Sequence, residues 1–391
     1  MRSGYFAVAI WLMLAVSASA QEAVIPLYRV VPGATALAQG PPGSLYVLST
    51  AARFPPTRGS WNSSCLTGSS FSDQFQATVA RISTDLSTVF WSSCVPFQVS
   101  RAQIKLDQRS FAPVIAGPPS GNFVSTSGAS PGPGIIDSTG VVRLRADGSA
   151  SEFAWLSSRP QSIANINERE SYRGFAILQD GSFVIALATN ARGLPVTPDA
   201  AEIQPGPGYL YRLSADGTQI LYATYLSGEI SGIALAQDGK IWLVGSTRGY
   251  TGGFAGLTGR LAIPFANDQL SDEGFVTSFD PAQRKLVSFA RFGLSTFSAM
   301  QIGVSRGGQV VIALSWFERG VGPELVAFAV DSLGTSITVL HRIPTGMDPS
   351  TLAFDAAGNW IVAESFASGP LLIEPAERRN GYQRFVRSIR A

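Results

Sequence analysis

The sequence predicts an all-β chain folded as a six-bladed β-propeller, four antiparallel strands to a blade, in one domain over residues 21–391. Three observations lead there. Short runs rich in Val, Ile, Phe and Tyr are bounded by Gly, Pro, Asp and Ser, the mark of strands and turns. Forty Gly and 24 Pro stand beside only 14% charged residues, and no long apolar stripe runs at helical spacing. A hairpin closed by a tight Gly turn recurs six times, which is how a repeat architecture shows itself.

Residues 1–20 stand apart from the fold. Arg2 gives a positive start, Tyr5 to Val16 an apolar core and Ala18-Ser-Ala20 a small-residue cleavage site. That is the pattern of a secretory signal peptide, too short to span a bilayer. Cleavage is expected before Gln21. No later stretch is long and apolar enough to cross a membrane, so the mature chain is expected to be secreted or periplasmic and monomeric. Its formal charge of +2 is spread out, with no basic stripe, which argues against a nucleic-acid partner. Cys65 and Cys94 are the only cysteines. In an oxidising compartment they are expected to pair, the alternative being two unrelated buried thiols.

The first strands of each unit are joined by turns at Gly43, Gly121, Gly181, Gly239, Gly308 and Gly358, at intervals of 78, 60, 58, 69 and 50 residues. Gly supplies the positive φ that a tight hairpin needs at little steric cost. A second hairpin follows each first one. Its forward strands include Ala77–Ser83, Gly140–Ala146, Tyr209–Ser214, Gly274–Asp280, Leu325–Val330 and Gln383–Arg390. Its return strands include Thr88–Trp91, Ser151–Trp155, Ile220–Tyr225, Leu286–Arg291 and Ile337–Arg342. Four strands, A to D, in each unit make a propeller blade. The sixth unit ends after its third strand. Val24–Val30 resembles Ile337–Arg342, so an N-terminal strand is expected to complete the last blade and close the ring, leaving no free sheet edge.

Five segments in three of the units carry a family resemblance. Leu194-Pro-Val-Thr-Pro-Asp-Ala-Ala201 precedes Leu210-Tyr-Arg-Leu-Ser-Ala-Asp-Gly217 and Leu221-Tyr-Ala-Thr-Tyr-Leu-Ser-Gly228 in the third unit. Leu243-Val-Gly-Ser-Thr247 and Phe54-Pro-Pro-Thr57 repeat parts of the pattern in the fourth and first. These residues resemble the bacterial β-propeller repeat family known as SBBP repeats. The resemblance implies a propeller and an exported location, and implies no reaction.

In a propeller the B–C loops and D–A links emerge on one face. Here the A–B turns are short, while the B–C loops, roughly 51–76, 126–139, 189–207, 247–273 and 365–382, and the D–A links 95–110 and 157–172 are long. A protein or glycan is therefore expected to bind at that face. Trp61, Tyr172, Arg248, Tyr250, Phe254, Phe317, Phe366 and Tyr382 are its candidate contacts, rings and a cation suited to sugar or protein; the bland alternative is that they pin the loops to the ring. Enzyme signals are weak. His341 is the only histidine, on an outer strand, and no nucleophile–base set forms around it. The other reading is a calcium-dependent lactonase-like hydrolase with Glu170, Glu229 and Asp348 at the channel; calcium is the one cofactor considered. The Asp-Gly pairs at Asp147, Asp180, Asp216 and Asp238 read as turn chemistry rather than as sites.

Overall fold

The computed structural model describes residues 36–50, 54–63, 65, 76–98, 102–118, 139–156, 170–247, 272–294, 297–305, 307–318, 322–331, 336–344, 349–354, 360–364, 371–372 and 387–388. They form strands and turns with no helix. The first sheet holds β1 (Ala36–Gln39), β2 (Ser44–Thr50), β3 (Gln76–Ser83) and β4 (Val89–Gln98). The second holds β5 (Gln103–Asp107), β6 (Ala112–Gly117), β7 (Gly140–Leu144) and β8 (Ser151–Leu156). The third holds β9 (Glu170–Ile177), β10 (Phe183–Thr189), β11 (Gly208–Leu213) and β12 (Ile220–Leu226). The fourth holds β13 (Glu229–Leu235), β14 (Ile241–Ser246), β15 (Asp272–Asp280) and β16 (Lys285–Leu294). The fifth holds β17 (Phe297–Val304), β18 (Val310–Glu318), β19 (Gly322–Val330) and β20 (Ile337–Pro344). Each is an antiparallel meander in chain order. Two further pairs follow, β21 (Pro349–Phe354) with β22 (Trp360–Glu364), and β23 (Leu371–Leu372) with β24 (Arg387–Ser388).

Successive sheets meet through their first strands: β1 against β5, β5 against β9, β9 against β13, β13 against β17 and β17 against β21. The first strand of each sheet is thus the innermost, and the fourth is the outer edge. Large side chains fill the space between neighbours. Tyr222, Phe275 and Phe279 join the third sheet to the fourth, and Trp242, Phe292 and Phe328 join the fourth to the fifth. Burying each such ring stabilises by roughly 2–3 kcal/mol.

The turn chemistry expected from sequence is in place. Gly43, Gly181, Gly239 and Gly308 take φ of 78°, 81°, 83° and 80° at the A–B turns. Gly148 and Gly217 do so at C–D turns, with φ of 72° and 69°. The aspartates are local caps. Asp180 Oδ1 accepts from the Ser182 amide at 2.9 Å, Asp238 Oδ1 from Lys240, Asp147 Oδ1 from Ser149 and Asp216 Oδ1 from Thr218.

The second sheet corrects the sequence reading. Its A–B turn is not at Gly121. β5 pairs with β6 through the turn at residues 108–111, and there Phe111 takes φ 54°. The link from β4 to β5 is therefore residues 99–102 rather than 95–110, and the B–C connection begins at residue 118. Positive-φ turn residues now fall at 43, 111, 181, 239 and 308, at intervals of 68, 70, 58 and 69. Gly121, Gly358, the signal peptide and the N-terminal strand at 24–30 lie outside the described residues.

Candidate functional site

The two ends of the sheets differ. At one end the A–B and C–D turns are tight. At the other the B–C connections span residues 51–75, 118–139, 190–207 and 247–271, and only residues 319–321 in the fifth sheet. Of the residues expected at this loop end, Arg248, Tyr250, Phe254, Phe366, Tyr382 and Asp348 lie outside the described residues. Phe317 is on β18 opposite Pro323, in a strand rather than a loop. Tyr172 is on β9, where its hydroxyl donates to Gln103 Oε1 at 3.1 Å. Burial pushes that hydroxyl well above its ordinary pKa. Glu170 and Glu229 open the inner strands β9 and β13 and share the loop end, opposite Thr189 and Ser246. Glu229 Oε1 is held by Arg173 Nη2 at 2.8 Å.

Trp61 lies elsewhere. Residues 54–65 run down the outer edge of β4. Thr57 N donates to Ser92 O at 3.0 Å and Ser92 N donates to Thr57 Oγ1 at 3.2 Å. Asn62 N donates to Ser93 Oγ at 3.0 Å, and Cys94 N to Asn62 O at 3.0 Å. The Cys65–Cys94 disulfide then ties the segment down. Trp61 packs on the core between the first two sheets, and its amide donates to Gly148 O at 2.8 Å on the next sheet's C–D turn.

The third sheet repeats this strap. Thr197 N donates to Ala223 O at 3.1 Å and Ala223 N to Thr197 Oγ1 at 3.2 Å. Glu202 N donates to Thr224 Oγ1 at 2.9 Å, and Tyr225 N to Glu202 O at 3.1 Å. Asp199 reaches Arg284 on the fourth sheet's C–D turn at 2.6 Å. Phe54-Pro-Pro-Thr57 and Leu194-Pro-Val-Thr197 thus do the same job. Each covers the row of unpaired backbone groups on an outer strand, and each grips the following sheet.

The turn end carries a concavity of about 1140 Å³, walled by the ends of β5, β9 and β13 and by the turns that follow them. Paired charges surround it. Asp107 is held by Arg109 at 3.0 Å and Arg143 at 3.4 Å. Burial raises the Asp107 carboxyl, but Arg109 hydrogen bonds and the Arg143 charge carry it below the ordinary carboxylate value. Arg109 Nη1 donates to Asp180 O at 2.6 Å, Arg143 Nη2 to Gly181 O at 3.2 Å and Arg212 Nη1 to Pro281 O at 2.9 Å, linking the second, third and fourth sheets. Lys105 is the exception. Its amine donates to Phe175 O and lies 5.2 Å from the Phe175 ring centroid. Nothing in the sequence marked this end. Lys105 shares no local motif with the turns it faces.

No family model matches the chain, and no curated protein matches it. Among solved structures, the crystal structure of a candidate 6-phosphogluconolactonase from Bacteroides uniformis is similar over 92% of this chain and 86% of its own, at 12% identity and a TM-score of 0.50. The Dos1 propeller is similar over 91% and 83%, at 9% identity and a TM-score of 0.44. At such identities the likeness concerns the fold. With four-stranded meanders set side by side on their first strands, the fold is a β-propeller. The described residues contain no group of three or more His, Cys, Asp or Glu placed to hold a metal, and no helix long and apolar enough to cross a membrane. The Cys65–Cys94 disulfide suits an oxidising compartment.

Proposed function

We propose that the chain is an exported, six-bladed propeller scaffold that binds a protein or a glycan at its loop end. Connection length carries the reading. A–B turns of a few residues suffice at one end, whereas residues 51–75, 118–139, 190–207 and 247–271 all return at the other. The straps account for 54–65 and 190–207. They leave 118–139 and 247–271, the latter with Arg248, Tyr250 and Phe254, as length that a ring does not need in order to fold. Among the described residues, five four-stranded sheets are followed by the β21–β22 hairpin, which packs on β17 as a further first strand would; a sixth blade is the reading this supports. The shared geometry of Thr57 and Thr197 supports a repeat of the SBBP kind.

The calcium-dependent hydrolase reading is less well supported. Glu229 is already engaged by Arg173, and an ion would have to displace that pairing. The test replaces residues 248–271 with a short Gly-Ser turn and compares both proteins on glycan and cell-surface-protein arrays. Binding by the intact chain, weakened about tenfold or more by trimming, is expected, a loss in the range of a central contact cluster. Equal binding by the two, or none by either, removes the proposal.

A further inference from the structure

The concavity at the turn end is remote from the loop end and independent of the binding proposed there. Lysine occurs three times in the sequence, at 105, 240 and 285, against 26 arginines. Arginine stays charged in proteins, whereas lysine can lose its proton and act as a nucleophile. Lys240 is spent on Asp238 at 2.6 Å, and Lys285 is exposed beside the C–D turn of the fourth sheet. Lys105 differs from both. It is half-buried in the middle of β5 and lines the concavity, and the partners of its amine are the Phe175 carbonyl and ring.

The charged groups lining the concavity have other partners. On its own hairpin Asp107 takes Arg109 and Arg143; from the third sheet Asp180 takes Arg212; from the fourth Asp238 takes Lys240, and Asp280 accepts the Ala282 and Gln283 amides. No carboxylate of this set holds Lys105 in its charged form. Apolar surface from Leu106, Ala176 and Leu235 adjoins it. Burial accordingly pushes its amine down to about 8.

We propose that Lys105 is a nucleophilic amine that captures small aldehydes or ketones in the turn-end concavity as an imine. The unprotonated nitrogen adds its lone pair to the carbonyl carbon, and the C=O π pair moves to oxygen, which gains a proton as nitrogen gives one up. Water leaves and a C=N bond remains. Nothing is oxidised or reduced, and hydrolysis returns both partners. The volume accommodates a carbonyl compound of ordinary metabolite size, at the upper end of ligand-pocket dimensions.

The test uses the full mature chain with benzaldehyde and sodium cyanoborohydride, which fixes the imine, and follows each lysine by peptide mass. At pH 7 Lys105 is expected to label about tenfold faster than Lys285, because burial raises the unprotonated share of the Lys105 amine. The ratio shrinks as pH rises past about 8, where the Lys105 amine is already largely unprotonated. Gln237→Trp, on the exposed rim, narrows the mouth and slows Lys105 several-fold while leaving Lys285 unchanged. Labelling of Lys105 no faster than Lys285, or a Lys105 rate indifferent to Gln237→Trp, overturns the proposal. The peptide masses assign the adduct directly, so no outcome depends on a Lys105 variant folding.

Discussion

Phe111, at φ 54°, holds a backbone conformation that Gly43, Gly181, Gly239 and Gly308 hold at the corresponding turns. A left-handed residue with a side chain costs roughly 1–2 kcal/mol. Space decides what an added side chain costs on top of that. A Cβ at Gly239 meets nothing, whereas one at Gly148 drives into the Trp91 ring. Trp91 cannot yield easily, since its Nε1 donates to Ala146 O at 3.0 Å. Gly239→Ala is expected to lower stability by about 1 kcal/mol and Gly148→Ala by about 3 kcal/mol, conformational cost plus overpacking. Urea denaturation of the two variants measures the difference, and equal losses would refute the packing account. The same comparison explains which turns were legible. Glycine and Asp-Gly announce a positive φ in sequence. Phenylalanine does not, and the second blade was misplaced for that reason.

The straps are the informative elements. In isolation Thr57 and Thr197 look like loop residues in a Pro-rich stretch. Each in fact makes a paired exchange with an outer strand some 26 to 35 residues away in sequence. Such pairing is non-local, so a sequence reading finds the repeated Pro-x-Thr pattern without finding its partner. Of the two readings the sequence leaves open for Trp61, a contact on an open face or a ring that pins its loop, the strap shows the second, carrying Trp61 to the seam between two sheets. Thr57→Val and Thr197→Val each remove a hydroxyl from its backbone contacts and leave the size nearly unchanged. Each is expected to cost about 1 kcal/mol. The sites share no partner, so the double variant should cost the sum to within about 0.5 kcal/mol. Thermal or urea unfolding of the four proteins tests this, and a cost confined to one strap would break the equivalence.

Over the whole molecule, the hairpin repeat was readable because the second strand of each described four-stranded sheet is a buried apolar run, and the disulfide was readable because the sequence holds two cysteines. The turn-end concavity was not readable, because it exists only where three blades converge. The compartment reading has its own test. Expression with residues 1–20 in an exporting host should yield a protein beginning at Gln21 with Cys65 and Cys94 oxidised, by intact mass. Reduction of that bond, which spans a separation of 29 residues, should lower stability by about 3 kcal/mol in the chain-entropy model. An unprocessed chain, or no change in stability on reduction, counts against it.

The scarcity of lysine has a practical side. All three lysines sit toward the turn end, one in β5 lining the concavity, one in the fourth blade's A–B turn and one beside its C–D turn. Amine-coupling chemistry on a sensor chip would therefore tether the propeller from that side through its side chains, leaving the opposite end facing the flow. Random lysine coupling, ordinarily a source of mixed orientations, becomes a directional mount here.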